Sequence, residues 1–351
     1  MHIKNQIAVV GGGAAGFFAA INCAIQNPQC KVLLFEKSSK LLSKVRVSGG
    51  GRCNVTHACF DFKKLTEFYP RGKKELAGSF SRFNVNSTIQ WFEQRDVQLK
   101  TEADGRMFPV TDNSQTIIDC LMKEAEKRNI HIRLNHHLQQ LKKISDDEFE
   151  LFFADAITHK CNKVILTTGG YPQLKSFDFI AESGHTIIPP VPSLFTFNIP
   201  QSPFKGLEGV AVTNATLFLE GSKLKETGPV LITHWGISGP AAIKLSAWAA
   251  RWLSENNYQT NLHINWLPDK PATEVASFFS ELRQIHPTKK IMSNSLFGLP
   301  QRLWERLVTL SGITEKENSS DLSKAKTNRL IQLLTNTILI CNGKTTIRKN
   351  S

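Results

Sequence analysis

Ile7–Val10 and Lys31–Phe35 carry short apolar runs without polar alternation, the pattern of strands buried on both faces of a parallel sheet. Between them, Gly11–Gly16 leads into the helix-forming stretch Phe17–Ile21, and Pro28 punctuates the helix end. Strand, turn, helix and strand make one βαβ unit with the usual right-handed crossover. From Lys37 to about Arg71 no periodicity survives, and the segment reads as loop. Helical spacing returns around Ser87–Arg95 and at Gln115–Arg128, where Ile117, Ile118, Leu121 and Met122 share one face. Ile130–Leu134, Leu138–Ile144 and Phe149–Phe153 are predicted strands of a small β-meander. Val164–Leu166 is a further buried strand, running into Thr167-Thr168-Gly169-Gly170.

Near Ser193 the pattern changes. Leu194–Ile199, Val210–Leu219, Lys223–Leu224, Val230–Thr233 and Leu262–Leu267 are turn-separated alternating runs, which predict an antiparallel sheet or barrel. Helical stretches are expected at Ala241–Trp252, Thr273–Ile285, Gln301–Leu310 and Leu322–Thr335. The expected organisation is a dinucleotide-binding domain over 1–193, an inserted barrel and helical domain over 194–336, and a strand at Thr337–Cys341 returning to the first domain within 337–351.

The first chemical motif is Gly11-x-Gly13-x-x-Gly16, placed after a strand and opening a helix. Its first glycine makes the tight turn, its second lets the backbone approach a pyrophosphate, and its third lets helix and strand pack. The helix N-terminus adds free N–H groups for the phosphates. Glu36 follows Gly16 by twenty residues, at the strand end where a carboxylate meets a ribose diol. The second motif is the run Lys44–Asn54 with three consecutive glycines, Gly49, Gly50 and Gly51. Such a run permits unusual backbone and close ligand approach; Lys44 and Arg52 can offer charge to a diphosphate, and Asn54 an amide. Cys53 within it reads as a packing or ligand-proximal residue rather than a redox thiol.

Composition narrows the class. With 351 residues, 41% hydrophobic and 21% charged, the chain can bury more than one core. No apolar stretch is long enough to cross a bilayer, and Ile7–Val10 is too short for a signal peptide, so a cytoplasmic protein is expected. Seven cysteines without C-x-x-C spacing fit reduced, buried thiols and exclude a zinc ribbon. His136 and His137 would point to opposite faces of a strand, so no metal site is expected. The net charge of +13 is spread in short groups such as Lys63-Lys64, Lys73-Lys74 and Lys289-Lys290. That dispersal reads as a solvated surface drawing anionic ligands, with nucleic-acid binding a lesser alternative.

Several motifs together carry a resemblance. Gly11–Gly16, Ser48–Asn54, Asp104–Pro109, Gly184-His185-Thr186 and Thr233–Pro240 resemble the bacterial family of NAD(P)/FAD-dependent, aminoacetone-oxidase-like flavoproteins, for some of which bile-acid-derived substrates have been proposed. The resemblance spans about 5–346 and implies an α/β fold: a glutathione-reductase-type, Rossmann-like FAD-binding domain with an inserted β-barrel plus α-helical domain. It also implies FAD contacts at Gly11, Gly13, Ala15, Gly16, Glu36, Lys37, Lys44, Ser48, Gly49, Gly51, Arg52, Asn54 and Gly170. One departure is local: Gly170 runs into Tyr171-Pro172-Gln173-Leu174 where relatives keep a Gly/Ser/Thr-rich loop.

The expected function is therefore an FAD-dependent oxidoreductase acting on a small molecule. With no second G-x-G-x-x-G, any NAD(P)H would be a transient electron donor. The strand end at His234 precedes a tight Gly236–Pro240 loop, with Ser238 a candidate helix cap. His234 is a candidate acid or base facing the flavin, or a structural histidine in a turn. A second departure is at the end of the chain, since relatives close with a further strand and glycine-rich segment. The alternative is thus a C-terminally truncated, catalytically silent remnant. The tail Ile347–Ser351 can be encoded so that a two-base shift reads Lys-Glu-Glu-Phe, and an early end to the frame is expected on that ground.

Overall fold

The computed structural model describes residues 5–171 and 173–346. It divides into two compact units, one up to Pro190 and one from Val191. The first opens with β1 (Gln6–Val10), α1 (Ala14–Gln26) and β2 (Lys31–Phe35). Next come α2 (Ser43–Val47), β3 (Thr56–His57), α3 (Phe62–Glu67), α4 (Lys73–Arg82) and α5 (Val85–Glu93). Then follow β4 (Leu99–Thr101), β5 (Arg106–Pro109), α6 (Ser114–Lys127) and β6 (His131–Arg133). The unit continues through β7 (Leu138–Ser145), β8 (Glu148–Phe153), β9 (Thr158–Cys161), β10 (Lys163–Leu166) and α7 (Asp178–Ala181).

A parallel sheet in the order β10-β1-β2-β6 is its centre. Strand alternation splits the core in two. Ile7, Val9, Val32 and Leu34 face a cluster with Phe17 and Ile21 of α1, Trp91 of α5 and Ile117 and Leu121 of α6. Ala8, Val10, Leu33 and Phe35 face Leu141, Leu151 and Phe153 of the meander β7-β8-β9. The continuous apolar runs are therefore continuous because both faces are covered. A second small sheet, β3-β5-β4, lies apart from this one.

Three expectations change here. The segment around Ile132 belongs to the parallel sheet, and the meander's third strand is the mostly polar β9, which apolar spacing could not reveal. Helix α3 forms inside the expected loop because the Asp61 carboxylate caps it, accepting from the Lys63 N–H at 2.9 Å and the Lys64 N–H at 3.4 Å. Met122 is exposed, while Ile117, Ile118 and Leu121 are buried as expected.

The second unit begins with β11 (Phe195–Asn198), β12 (Ala211–Leu219), β13 (Lys225–Ile232) and β14 (Gly236–Ser238). After α8 (Pro240–Glu255) and β15 (Gln259–Asn265) come α9 (Ala272–Ile285), α10 (Gln301–Leu310) and α11 (Lys324–Thr335), then β16 (Thr337–Asn342) and β17 (Lys344–Thr346). The strands form one antiparallel sheet, β16-β15-β12-β13-β14-β11-β17, packed with α8–α11 around Phe204, Trp266 and Trp304. The ends of this sheet meet at Gly343, whose N–H donates to Tyr258 at 2.9 Å while its carbonyl accepts from the Asn198 N–H at 3.1 Å. Of the runs expected at Lys223–Leu224 and Val230–Thr233, the first forms no strand and the second falls at the end of β13, whose pairing with β12 shifts register between Val212 and Ala215.

The strand over 337–341 does not return to the first unit. It pairs antiparallel with β15, Leu339 beside Leu262, and β17 then pairs with β11. Its own pattern explains this: Thr337, Leu339 and Cys341 are buried while Ile338 and Ile340 are exposed, the alternation of a half-covered sheet. Among the described residues the chain from Val191 onward stays in the second unit. Residues 347–351, on which the expected early end of the frame rests, lie outside the described residues. Ser238 does not cap α8: Gly239, with φ 94°, holds the N-cap position, Pro240 follows it, and the Ser238 hydroxyl accepts from Thr196 at 3.0 Å.

This placement makes Leu339 and Ile340 unequal. Leu339→Ala is expected to cost about 2–5 kcal/mol in urea unfolding, whereas Ile340→Ala should stay within about 0.5 kcal/mol of the parent. Equal losses would contradict the assigned faces of β16.

Candidate dinucleotide site

The β1–α1 turn is built on contacts within the backbone. Gly11, at φ 116°, donates its N–H to the Phe35 carbonyl at 2.7 Å. A side chain there would put Cβ 2.4 Å from the Thr167 carbonyl oxygen, and one at Gly16 would put it 1.8 Å from that of Gly11. Both positions are glycine because the fold leaves no space. Gly13 differs. Its φ is −91°, ordinary for any residue, and a Cβ built on it meets nothing within 4 Å. Nothing in the chain's own packing requires glycine there, although it stands at the N-cap of α1, where the first turn's N–H groups are unpaired. An occupant that approaches the backbone closely would require it, and a pyrophosphate does so. Ala15 is exposed in the same first turn.

The carboxyl ends of β1, β2 and β10 converge on this turn. Thr167, just past β10, donates its hydroxyl to the Val10 carbonyl at 2.9 Å and to that of Gly11 at 3.1 Å. Glu36, just past β2, accepts from the Gly12 N–H at 2.7 Å through Oε2 and from the Ser38 N–H and hydroxyl at 2.9 and 2.8 Å through Oε1. The carboxylate is thus fixed against the glycine turn, and Oε2 keeps a lone pair for another donor. Leu42 donates its N–H to Gly12 at 2.9 Å, which ties the start of α2 to the turn. The Lys44 ammonium then lies 3.3 Å from where a Cβ on Gly169 would sit, and the Lys37 ammonium lies 5.6 Å from the Tyr171 ring centre. Gly170 is open, with nothing near its Cβ position. Gly11, Gly13, Ala15, Gly16, Glu36, Lys37, Lys44 and Gly170 therefore gather at one end of the sheet, where open α/β folds bind their ligands. Thr167 and Ser38 were not singled out from sequence; hydroxyls beside strand-ending glycine and acid were the available signal.

The Ser48–Asn54 loop makes several contacts within the chain. Gly49, Gly50 and Gly51 all take positive φ, and Gly49 packs against Phe108, with 2.7 Å between its Cβ position and the ring. The Arg52 guanidinium stacks on Phe108 at 4.0 Å and pairs with Glu102 at 2.5 Å and Asp112 at 3.5 Å. Its charge meets carboxylates on the β4–β5 hairpin and the segment that follows, and the Glu102 hydrogen bond raises its pKa. Oriented to satisfy its neighbours, the Asn54 amide donates to the Thr56 carbonyl at 2.9 Å and to that of Met107 at 3.2 Å. The Ser48 hydroxyl donates to Val45. Each of these contacts shapes the loop locally. Cys53 is buried at φ 63°, and burial raises its thiol pKa, which favours packing over redox reactivity.

His234 lies in the second unit, at the exposed turn between β13 and β14, beyond the strand end at Ile232. Its side chain is 83% exposed, with Nδ1 3.9 Å from Glu208. The turn is held by Thr233, whose N–H donates to Gly236 at 2.8 Å.

A glycine turn at the head of a parallel sheet, an acid at the next strand end and an open cradle define a Rossmann-type dinucleotide-binding protein. A family model described as the HI0933-like protein Rossmann domain matches residues 5–334, and the chain belongs to that family. It is similar to a 3-dehydro-bile acid delta(4,6)-reductase of Clostridium scindens, 26% identical over 344 residues, covering 95% of this chain and 82% of the relative. It is also similar to a ribosomal RNA dihydrouridine synthase of Escherichia coli, 29% identical over 318 residues, covering 88% and 74%. Among solved structures, a 3-ketosteroid-delta4-(5alpha)-dehydrogenase of Rhodococcus jostii is 11% identical, with a TM-score of 0.43, covering 86% of this chain and 80% of that one.

The thiols give a test of burial around this site. Burial pushes Cys120 up to about 11 and Cys161 up to about 12, so both stay protonated across the neutral range. In native protein at pH 8, iodoacetamide is expected to label partly exposed Cys30 and Cys59 well before Cys53, Cys120 and Cys161, as peptide mass spectrometry would show. Raising the pH should speed labelling of the buried set only where unfolding begins.

Proposed function

We propose that this chain holds FAD at the β1–α1 turn and is a flavin-dependent oxidoreductase that saturates a carbon–carbon double bond conjugated to a carbonyl. The observation that carries the cofactor reading is Gly13: a glycine that neither backbone angle nor packing demands, at the open head of α1. The first-turn N–H groups of α1 suit the pyrophosphate, the remaining lone pair of Glu36 Oε2 suits a ribose hydroxyl, and Lys44 adds charge beside Gly169. When bound, FAD supplies hydride transfer.

The names of two relatives support the reaction class. In a 3-dehydro-bile acid the 4,6 double bonds are conjugated to the 3-oxo group, and in uridine the bond lost on forming dihydrouridine is conjugated to a ring carbonyl. Both reductions add a hydride to one carbon and a proton to its neighbour. NAD(P)H is the proposed donor of the electrons, bound transiently. His234, exposed and with Glu208 close by, is the proposed source of the proton.

Gly13→Val is expected to leave a folded, cooperatively melting protein that no longer purifies with flavin absorbance, whereas Gly16→Ala, colliding with Gly11, should lose stability itself. Glu36→Ala should weaken FAD binding by about 1–3 kcal/mol by titration. Stoichiometric flavin in Gly13→Val would remove the cradle reading.

His234→Ala should keep its flavin and slow oxidation of the reduced protein by a 3-oxo-4,6-diene bile acid in stopped-flow absorbance. Unchanged rates with that substrate would return His234 to a surface turn.

A further inference from the structure

Helix α10 turns its two sides to different surroundings. Leu303, Trp304, Leu307 and Val308 are buried in the core of the second unit. Gln301, Arg302, Glu305, Arg306 and Thr309 fall on the other side, spaced four residues apart in two rows. That polar side forms one wall of a cavity of about 930 Å³, a volume within the range of small-molecule sites, about 300–1,000 Å³. The other walls are Gly206 and Leu207, the segment of Lys290, Met292 and Ser293, and Glu315. All of these residues belong to the second unit, and none was placed in the dinucleotide site.

Hydrogen bonds fix the walls against one another. The Trp304 indole donates to the Ile291 carbonyl at 2.7 Å, and the Gln301 amide donates to that of Met292 at 3.1 Å. Arg302 donates through Nη2 to the Gly206 carbonyl, and Arg306 through Nη1 to those of Pro203 and Lys205. The Lys290 ammonium donates to the Lys316 carbonyl. Three cations are thus steered to the cavity by neutral oxygens, which leave their charge in place. Glu208, which feels the Arg302 charge, accepts instead from the Gly206 N–H at 3.1 Å. A guanidinium carries five N–H donors, so each arginine keeps part of its fork for an oxyanion.

The rest of the lining narrows the ligand. Glu305 and Glu315 offer acceptors, and Ser293 offers a hydroxyl. The apolar side chains are Leu207 and Met292, and no aromatic ring lines the cavity among the described residues. A flat or greasy ligand would find little to pack on. A hydroxyl-bearing ligand with a doubly charged phosphate would find cations for the phosphate and carboxylates for the hydroxyls.

We propose that the cavity on the polar side of α10 binds a sugar phosphate or a similar polyol phosphate. Arg302, Arg306 and Lys290 hold the phosphate, and Glu305, Glu315 and Ser293 meet the hydroxyls. The site needs no cofactor, so it stands independently of the flavin reading.

The test is isothermal titration calorimetry of the full chain with glucose 6-phosphate, inorganic phosphate and glucose in turn. Glucose 6-phosphate is expected to bind about tenfold more tightly than either fragment, since both halves of the site then contribute. Arg302→Gln should weaken it about tenfold or more, the order of one charge-assisted hydrogen bond. Because Arg302 also anchors Gly206, Ser293→Trp gives a second variant: it fills the cavity, keeps every cation and should abolish binding. Lys143→Gln on the meander makes the same charge change elsewhere and should bind as the parent does. Cooperative melts by circular dichroism are expected for all three variants. Undiminished binding in Ser293→Trp would overturn the assignment to this cavity. Equal weakening by Lys143→Gln would reduce the effect to net charge and overturn it too. So would equal affinity for inorganic phosphate, or no heat of binding at millimolar glucose 6-phosphate.

Discussion

The first unit depends on one close approach: α1 starts so near the end of β1 that Gly16 lies against the Gly11 carbonyl, while Gly11 lies against Thr167 at the end of β10. No side chain fits at either position, so two glycines set the spacing of helix and sheet. That spacing leaves the first turn of α1 aimed out of the sheet end, with its N–H groups unpaired. The Thr167 hydroxyl and the Glu36 carboxylate then stitch neighbouring strand ends onto the same turn. A helix set farther away would keep the sheet but lose the cradle.

The sheet that presents this turn is stable because it is covered twice. Successive residues of β1 and β2 enter different cores, one made with helices and one with an antiparallel meander. Polar chemistry is thereby confined to the strand ends, where backbone groups have no ladder partners and ligands can take their place. The second unit solves the same problem by bringing the two ends of its sheet together at Gly343, which leaves few strand edges without partners.

Charge alone does not identify a ligand contact. Lys44 and Arg52 read alike in sequence, as cations flanking a glycine run. In the fold Lys44 reaches the Gly169 loop, while Arg52 is stacked on Phe108 and shared between Glu102 and Asp112. A guanidinium with two carboxylates already in place serves the loop's shape first, because its fork of donors is satisfied within the chain.

What the sequence determined by itself was whatever depends on local pattern. The glycine fingerprint, the buried strands on either side of it, Glu36 and helices such as Gln301–Leu310 were legible because sterics and apolar periodicity act over a few residues. Helix α3 and strand β9 were not, since a cap and a tertiary neighbour rather than an apolar face hold them. Nor was the destination of Thr337–Asn342. Its alternation announced a half-buried strand, but which sheet it would join was decided by β15 and β11 lying open at opposite ends of one antiparallel sheet. The partners that Arg52, Asn54 and Ser238 find within the chain were likewise decided only by what surrounds them: a residue's type states which bonds it can make, and the packed chain states which partners are near.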